Sequence, residues 1–192
     1  MKNLLPYLGT LAVGALIALG VVLIAGGGDD EQAGEPAKAA ATEQTSSSGK
    51  ELKADAFTLR YPKGWQKLSK DDLEQARNAG VTGVKRTDET GILFVQEGGK
   101  LDGDLATMGD QLTATFKKRL KDFKHVKTAT VKLPAGEALS YTFVRGGSSV
   151  QNLVVVPSGD KTYTLNSIVQ GDAQDAAREV AGIIRSFDTE KN

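Results

Sequence analysis

The chain has 192 residues, room for one domain of ordinary size plus appendages. Its 24 lysines and arginines balance 24 aspartates and glutamates, so no net field draws it toward nucleic acid or acidic substrates. It has no cysteine, which excludes disulfides, thiolate metal sites, a cysteine nucleophile and lipid attachment through an N-terminal cysteine.

The first element is the uncharged run LLPYLGTLAVGALIALGVVLIA, from Leu4 to Ala25. At about 1.5 Å per helical residue it spans roughly 33 Å, enough for a hydrocarbon core of about 30 Å, and predicts an N-terminal transmembrane helix over residues 1–25. Lys2 before the run and the acidic GGGDDEQ after it place the N-terminus in the cytoplasm and the remainder outside, a single-pass membrane protein. A signal peptide cut near Ala25-Gly26-Gly27 is the competing reading, in which the protein is secreted. Thr10, Gly14 and Ala18 form a small-residue stripe that suits either close helix packing or ordinary contact with lipid.

Residues 26–54 are rich in Gly, Ala, Ser, Thr and Glu and nearly empty of large apolar side chains, so they predict a disordered linker. As a flexible coil it would reach roughly 30 Å, keeping the remainder of the chain near the membrane. The first 49 residues hold Lys2 and Lys38 against Asp29, Asp30, Glu31, Glu35 and Glu43, which leaves the rest of the chain slightly basic.

A folded domain is expected over residues 55–188. Phe57, Leu59 and Tyr61 alternate with Thr58 and Arg60 in the period of a half-buried strand, stopped by Pro62 and Gly64. A short helix comes next, with Ser69 as cap, Asp72 at the capping-box distance and Gly80 at its exit. GILFVQE, residues 91–97, reads as a buried strand. In DLATMGDQLTATFKKRLKDF, residues Leu105, Met108, Leu112, Phe116, Leu120 and Phe123 recur at steps of three and four and predict one long amphipathic helix capped by Asp104. Strands are expected at 137–145, 150–157 and 162–169, joined by Gly146-Gly147 and Ser158-Gly159-Asp160 as antiparallel hairpins. A last helix presents Ala173, Ala176, Val180, Ile183, Ile184 and Phe187 on one face. The fold class is α+β, an antiparallel β-sheet flanked by α-helices.

This order of pieces, FTLRYPKGW, GILFVQE, a long helix, the meander through ALSYTFV and TYTLNSIV, and a closing IIRSF, resembles the PsbP-like superfamily over about residues 55–188. That superfamily includes the extrinsic photosystem II protein, a nuclear Ran-GTPase-binding protein and bacterial membrane-anchored or lipoprotein relatives. The resemblance implies an α/β/α sandwich and a role in binding or assembly without catalysis. His125 is the only histidine, so the metal-binding histidines of the photosynthetic branch are not carried over, nor is a Ran-contacting surface. The lipoprotein cysteine common among bacterial relatives is replaced by the apolar helix.

Chemical motifs are sparse. Ser47-Ser48-Gly49-Lys50 and Ser158-Gly159-Asp160-Lys161 both fit Ser-x-x-Lys, but one falls in the linker and the other in a hairpin turn, where a nucleophile lacks a rigid base and oxyanion donors. Asp102-Gly103-Asp104 lacks the further oxygens of a calcium loop, and no Gly-rich phosphate loop occurs, so no cofactor is expected. Lys117, Lys118, Arg119, Lys121, Lys124 and Lys127 are opposed locally only by Asp122. Read on a helix, Lys117, Lys121 and Lys124 share a face away from Phe116 and Leu120, a surface either for anionic headgroups or an acidic partner or simply for water. Tyr61 and Trp65 either line a groove or pack beneath the first turn.

The resulting expectation is a membrane-anchored, extracytoplasmic, non-enzymatic binding or assembly domain for an envelope protein or complex, with no nucleic-acid partner. A carrier or sensor of a small apolar ligand and an unrecognised enzyme are the alternatives.

Overall fold

The computed structural model describes residues 49–75, 81–146 and 148–189. The expected transmembrane helix and most of the expected linker lie outside those residues; among the described residues no helix is long and apolar enough to cross a membrane.

Alternating apolar positions pair into two antiparallel sheets. The larger has seven strands in the order β3 (Trp65–Lys67), β4 (Val81–Arg86), β5 (Gly91–Gly98), β9 (Lys161–Gln170), β8 (Ser149–Ser158), β7 (Gly136–Arg145) and β6 (Lys124–Leu133). The smaller has three, β1 (Lys50–Lys53), β2 (Phe57–Tyr61) and β10 (Asp188–Thr189), with β2 in the middle. The helices are α1 (Lys70–Gln75), α2 (Leu105–Arg119) and α3 (Gln174–Arg185).

Each face of the large sheet is covered, because successive residues of a strand point to opposite sides. Leu93 and Val95 of β5, Val154 and Val156 of β8 and Leu165 of β9 pack with Val180, Ile183 and Ile184 of α3 and with the small sheet. On the opposite face Leu139, Tyr141, Leu153 and Val155 meet Met108, Leu112 and Phe116 of α2. Ile92, Phe94 and Ile168 meet Leu68, just before α1, and Leu73 within it, on that same side. The result is an α+β domain built on an antiparallel sheet between helical layers.

The expected strands at 57–61, 91–97, 137–145, 150–157 and 162–169 are all present. The capping box at α1 forms as spaced: Asp72 accepts from the Ser69 backbone at 2.9 Å and hydroxyl at 2.7 Å, while Ser69 Oγ accepts from the Asp72 backbone at 3.2 Å. The Ser158-to-Lys161 hairpin turns through Gly159 at φ 62, where a side chain would be strained.

Three expectations need correction. Lys50–Lys53, counted within the linker, is a strand whose Leu52 is 3% exposed and pairs with Leu59. The long helix ends at Arg119, not Phe123, because Leu120 turns extended (φ −106, ψ 124) and Asp122 adopts φ 54. Residues 124–133, between the expected elements, form the ten-residue strand β6.

Candidate functional site

Trp65 and Tyr61 are 2% and 4% exposed and belong to the core under α3, so neither lines a groove. The indole Nε1 of Trp65 donates to Glu179 Oε2 at 2.7 Å, and Glu179 also faces Arg86 Nε at 3.3 Å. The pair ties β3 and β4 to α3. The turn after Tyr61 is therefore a packing device, with the indole nitrogen satisfied by a half-buried carboxylate.

The basic residues gather at one corner of the sheet, though not on one helical face. Lys117, Lys118 and Arg119 close α2, Lys121 stands in the turn, and Lys124 and Lys127 belong to β6. The reading of Lys117, Lys121 and Lys124 as one helical stripe fails because the chain leaves the helix after Arg119. Phe123 explains the turn: it packs edge-on to Phe116 at 5.8 Å and against Phe143 at 5.6 Å, folding the chain back onto the cluster that α2 already covers. The apolar period persists while the backbone reverses.

The corner is fastened from below. Tyr141 OH and Thr113 Oγ1 lie 2.7 Å apart, and Thr113 donates to the Gly109 carbonyl at 2.9 Å, so the phenol donates into α2. Burial is the main cause that pushes the Tyr141 hydroxyl up from its ordinary value, with the Asp110 charge adding to it and Thr113 opposing. His125 stacks on Tyr141 at 4.9 Å, with Nε2 2.9 Å from Thr128 Oγ1. Gly109 lets α2 approach β6 closely, since a Cβ there would stand 2.9 Å from Thr128 Cγ2.

The charges above are exposed and uncompensated. Among the described residues the ion pairs join Arg60 to Glu51, Lys85 to Asp72, Arg86 to Asp88 and Glu179, Lys161 to Glu97 and Arg178 to Asp175. None involves the six basic residues of the corner. β6 beside them is the last strand of its sheet, exposed over most of its length, and carries Val126 outward at 55% exposure. The charges could be found in the sequence. The open edge could not, because the alternation of Ala129, Val131 and Leu133 with Thr128, Thr130 and Lys132 marks a strand without saying which neighbour it pairs with.

A second feature escaped the sequence reading. Between the patches covered by α1 and α2, strand register places Thr162, Thr164 and Asn166 of β9 and Gln151 of β8 on one face as a buried polar strip. Among the described residues, Gln151 Nε2, Asn166 Oδ1 and Thr162 Oγ1 have no hydrogen-bond partner. Among the described residues no group of three or more His, Asp or Glu is placed to hold a metal ion.

No family model and no curated protein matches the chain. Among solved structures it is similar to the solution structure of cyanobacterial PsbP (CyanoP) from Synechocystis sp. PCC 6803, with a TM-score of 0.54 and 13% identity over 79% of this chain and 98% of that one. The Ran-binding protein Mog1p of Saccharomyces cerevisiae gives a TM-score of 0.50 and 12% identity over 74% and 95% of the two chains. A crystal structure from Bacteroides thetaiotaomicron VPI-5482 aligns more loosely, with a TM-score of 0.45 and 17% identity, and this chain spans 46% of it. The first two likenesses establish a PsbP-like fold.

Proposed function

We propose that this protein is a non-enzymatic binding or assembly domain, held outside the cytoplasm by an N-terminal membrane helix, and that it meets an acidic envelope protein on the corner made by α2 and β6. The observation that carries the reading is the convergence there of Lys117, Lys118, Arg119, Lys121, Lys124 and Lys127, without an ion-pair partner among the described residues, on a backbone fixed by Phe123 and Tyr141. Cations set on a rigid frame steer association and select partners of opposite sign. The PsbP-like fold supports a binding role, since one protein that shares it is named for binding Ran. The uncharged run from Leu4 to Ala25 supports the anchor.

Two measurements test this. Protease accessibility in sealed cells should find residues 49–189 outside; protection there, with accessibility from the cytoplasmic side, overturns the topology. Cross-linked co-purification from native membranes should recover an acidic partner that is lost when Lys117, Lys121 and Lys124 are all changed to Glu. Equal recovery by that variant removes the corner as the contact.

A second reading, carriage of a small ligand, is favoured by the buried strip of Thr162, Thr164, Asn166 and Gln151. Its unbonded polar atoms suit a hydrogen-bonding ligand rather than an apolar one. Native mass spectrometry of the purified protein should then show a bound small molecule that Gln151→Leu abolishes. An empty protein that Gln151→Leu only stabilises counts against carriage.

A further inference from the structure

The outer edge of β6 goes further, on the premise that the basic corner beside it is a partner surface. Among the described residues β6 pairs with β7 alone. Leu133 and Gly136 flank a two-residue turn and so form a hydrogen-bonded pair, and along an antiparallel ladder bonded and non-bonded pairs alternate. Counting back from the turn, Lys132, Thr130 and Thr128 stand opposite Glu137, Leu139 and Tyr141 in non-bonded pairs, and their N–H and C=O groups point away from β7. Among the described residues no strand lies on that side. A register shift between His125 and Lys127 ends the regular stretch at the basic corner.

Lysines and a bulge are the usual means of keeping an edge from pairing with its own kind. A second copy of β6 would lay one lysine row against another. An acidic chain meets the reverse situation, with open backbone groups along the edge and unpaired cations at one end.

We propose that β6 receives an extended acidic segment of a partner protein as an added antiparallel strand along Thr128–Lys132. Every pairing in this sheet is antiparallel, so the added segment runs from the Leu133 end toward Lys124. Its carboxylates therefore come after the paired residues in sequence and meet Lys124, Lys127 and the end of α2. Backbone pairing supplies affinity, and the corner supplies direction.

The test uses the intact protein in detergent micelles and a fluorescent peptide, an alternating Thr-Val hexamer followed by tetraglutamate. A control peptide carries the tetraglutamate ahead of the hexamer, and phosphatidylglycerol vesicles report binding by charge alone. The first peptide should bind about tenfold more tightly than the control, the scale of one or two hydrogen bonds and their flanking charges. Thr130→Pro deletes an outward N–H at an exposed edge position that tolerates proline, leaving the β6–β7 ladder in place. It should weaken peptide binding about tenfold with an unchanged melting temperature, while Thr130→Val binds as wild type.

If Thr130→Pro binds normally and the Lys117, Lys121 and Lys124 to Glu variant does not, strand addition is overturned and the basic corner stands. Undiminished peptide binding by the Glu variant overturns the corner itself. Binding to vesicles and to neither peptide assigns the corner to lipid headgroups and overturns this proposal.

Discussion

At the scale of single residues, polar groups at the margins of the core decide more than their exposure suggests. Trp65 fills the space above Gly91, where a Cβ would meet the indole at 3.0 Å, and donates to Glu179. Trp65→Phe removes both the outer ring and the donor, and should cost about 2–3 kcal/mol in urea unfolding, the range for a lost charged hydrogen bond plus a small cavity. Asp72 shows how pH enters. Burial raises its carboxyl, but the hydrogen bonds from Lys85 and Ser69 outweigh that and hold it below the usual carboxylate value. A lowered folded value means that the stabilisation is complete above the unfolded value, near pH 4, and is lost as pH falls through the folded one. The stability gap between wild type and Asp72→Asn should therefore be widest near neutrality and close below about pH 4. A gap that stays constant down to strong acid would remove Asp72 as the source.

At the scale of elements, α2 and β6 make the sharpest case. Glycine inside a helix is worse than alanine by about 1 kcal/mol, so propensity alone says that Gly109→Ala stabilises. Contact with Thr128 Cγ2 at 2.9 Å says the opposite. Gly109→Ala should lower the melting temperature in the wild-type background and raise it when Thr128→Ala is also present, a sign reversal that a double-mutant cycle reads directly. The same pair of elements marks the limit of what the sequence discloses. Leu120 and Phe123 do join Met108, Leu112 and Phe116 in one cluster, as their spacing implied. Periodicity reports which residues are buried, and it cannot tell a helix that continues from a chain that reverses onto the same cluster. β6 was missed although Ala129, Val131 and Leu133 alternate with Thr128, Thr130 and Lys132, because its first half, Lys124 to Thr128, is exposed throughout and carries no period, and β3 because three residues carry none. Strands β5, β7, β8 and β9, buried and rich in Val, Leu, Ile and aromatic residues, announced themselves. The basic corner was legible as composition alone; its location at an open sheet edge depends on pairings between residues distant in sequence.

At the scale of the whole molecule, the two ends of the described chain close on each other. Ser186 Oγ accepts from the Arg60 backbone at 2.8 Å and lies 2.7 Å from the Ile183 carbonyl, while β10 pairs with β2 on the side away from β1. β2 is therefore a central strand, and β1 shields its other edge. Only Leu52 of Lys50–Lys53 is buried, so a single apolar residue in a charged tetrapeptide had to be placed by its partner Leu59 and by the core it shares with Leu133, Ala138 and Phe187. The Glu51–Arg60 pair at 3.8 Å is exposed and adds little. This gives a test of where the folded unit begins. A chain starting at Gly49 should unfold at the same denaturant midpoint as the described domain in the full protein. One starting at Asp55, which keeps every strand and helix that the sequence pattern disclosed within residues 55–188, should lose about 2–4 kcal/mol, the scale of removing a buried leucine, and Leu52→Ala in the full chain should reproduce most of that loss. Matching midpoints for the two starting points would mean that β1 rides on the domain without stabilising it, and that the unit begins at Phe57.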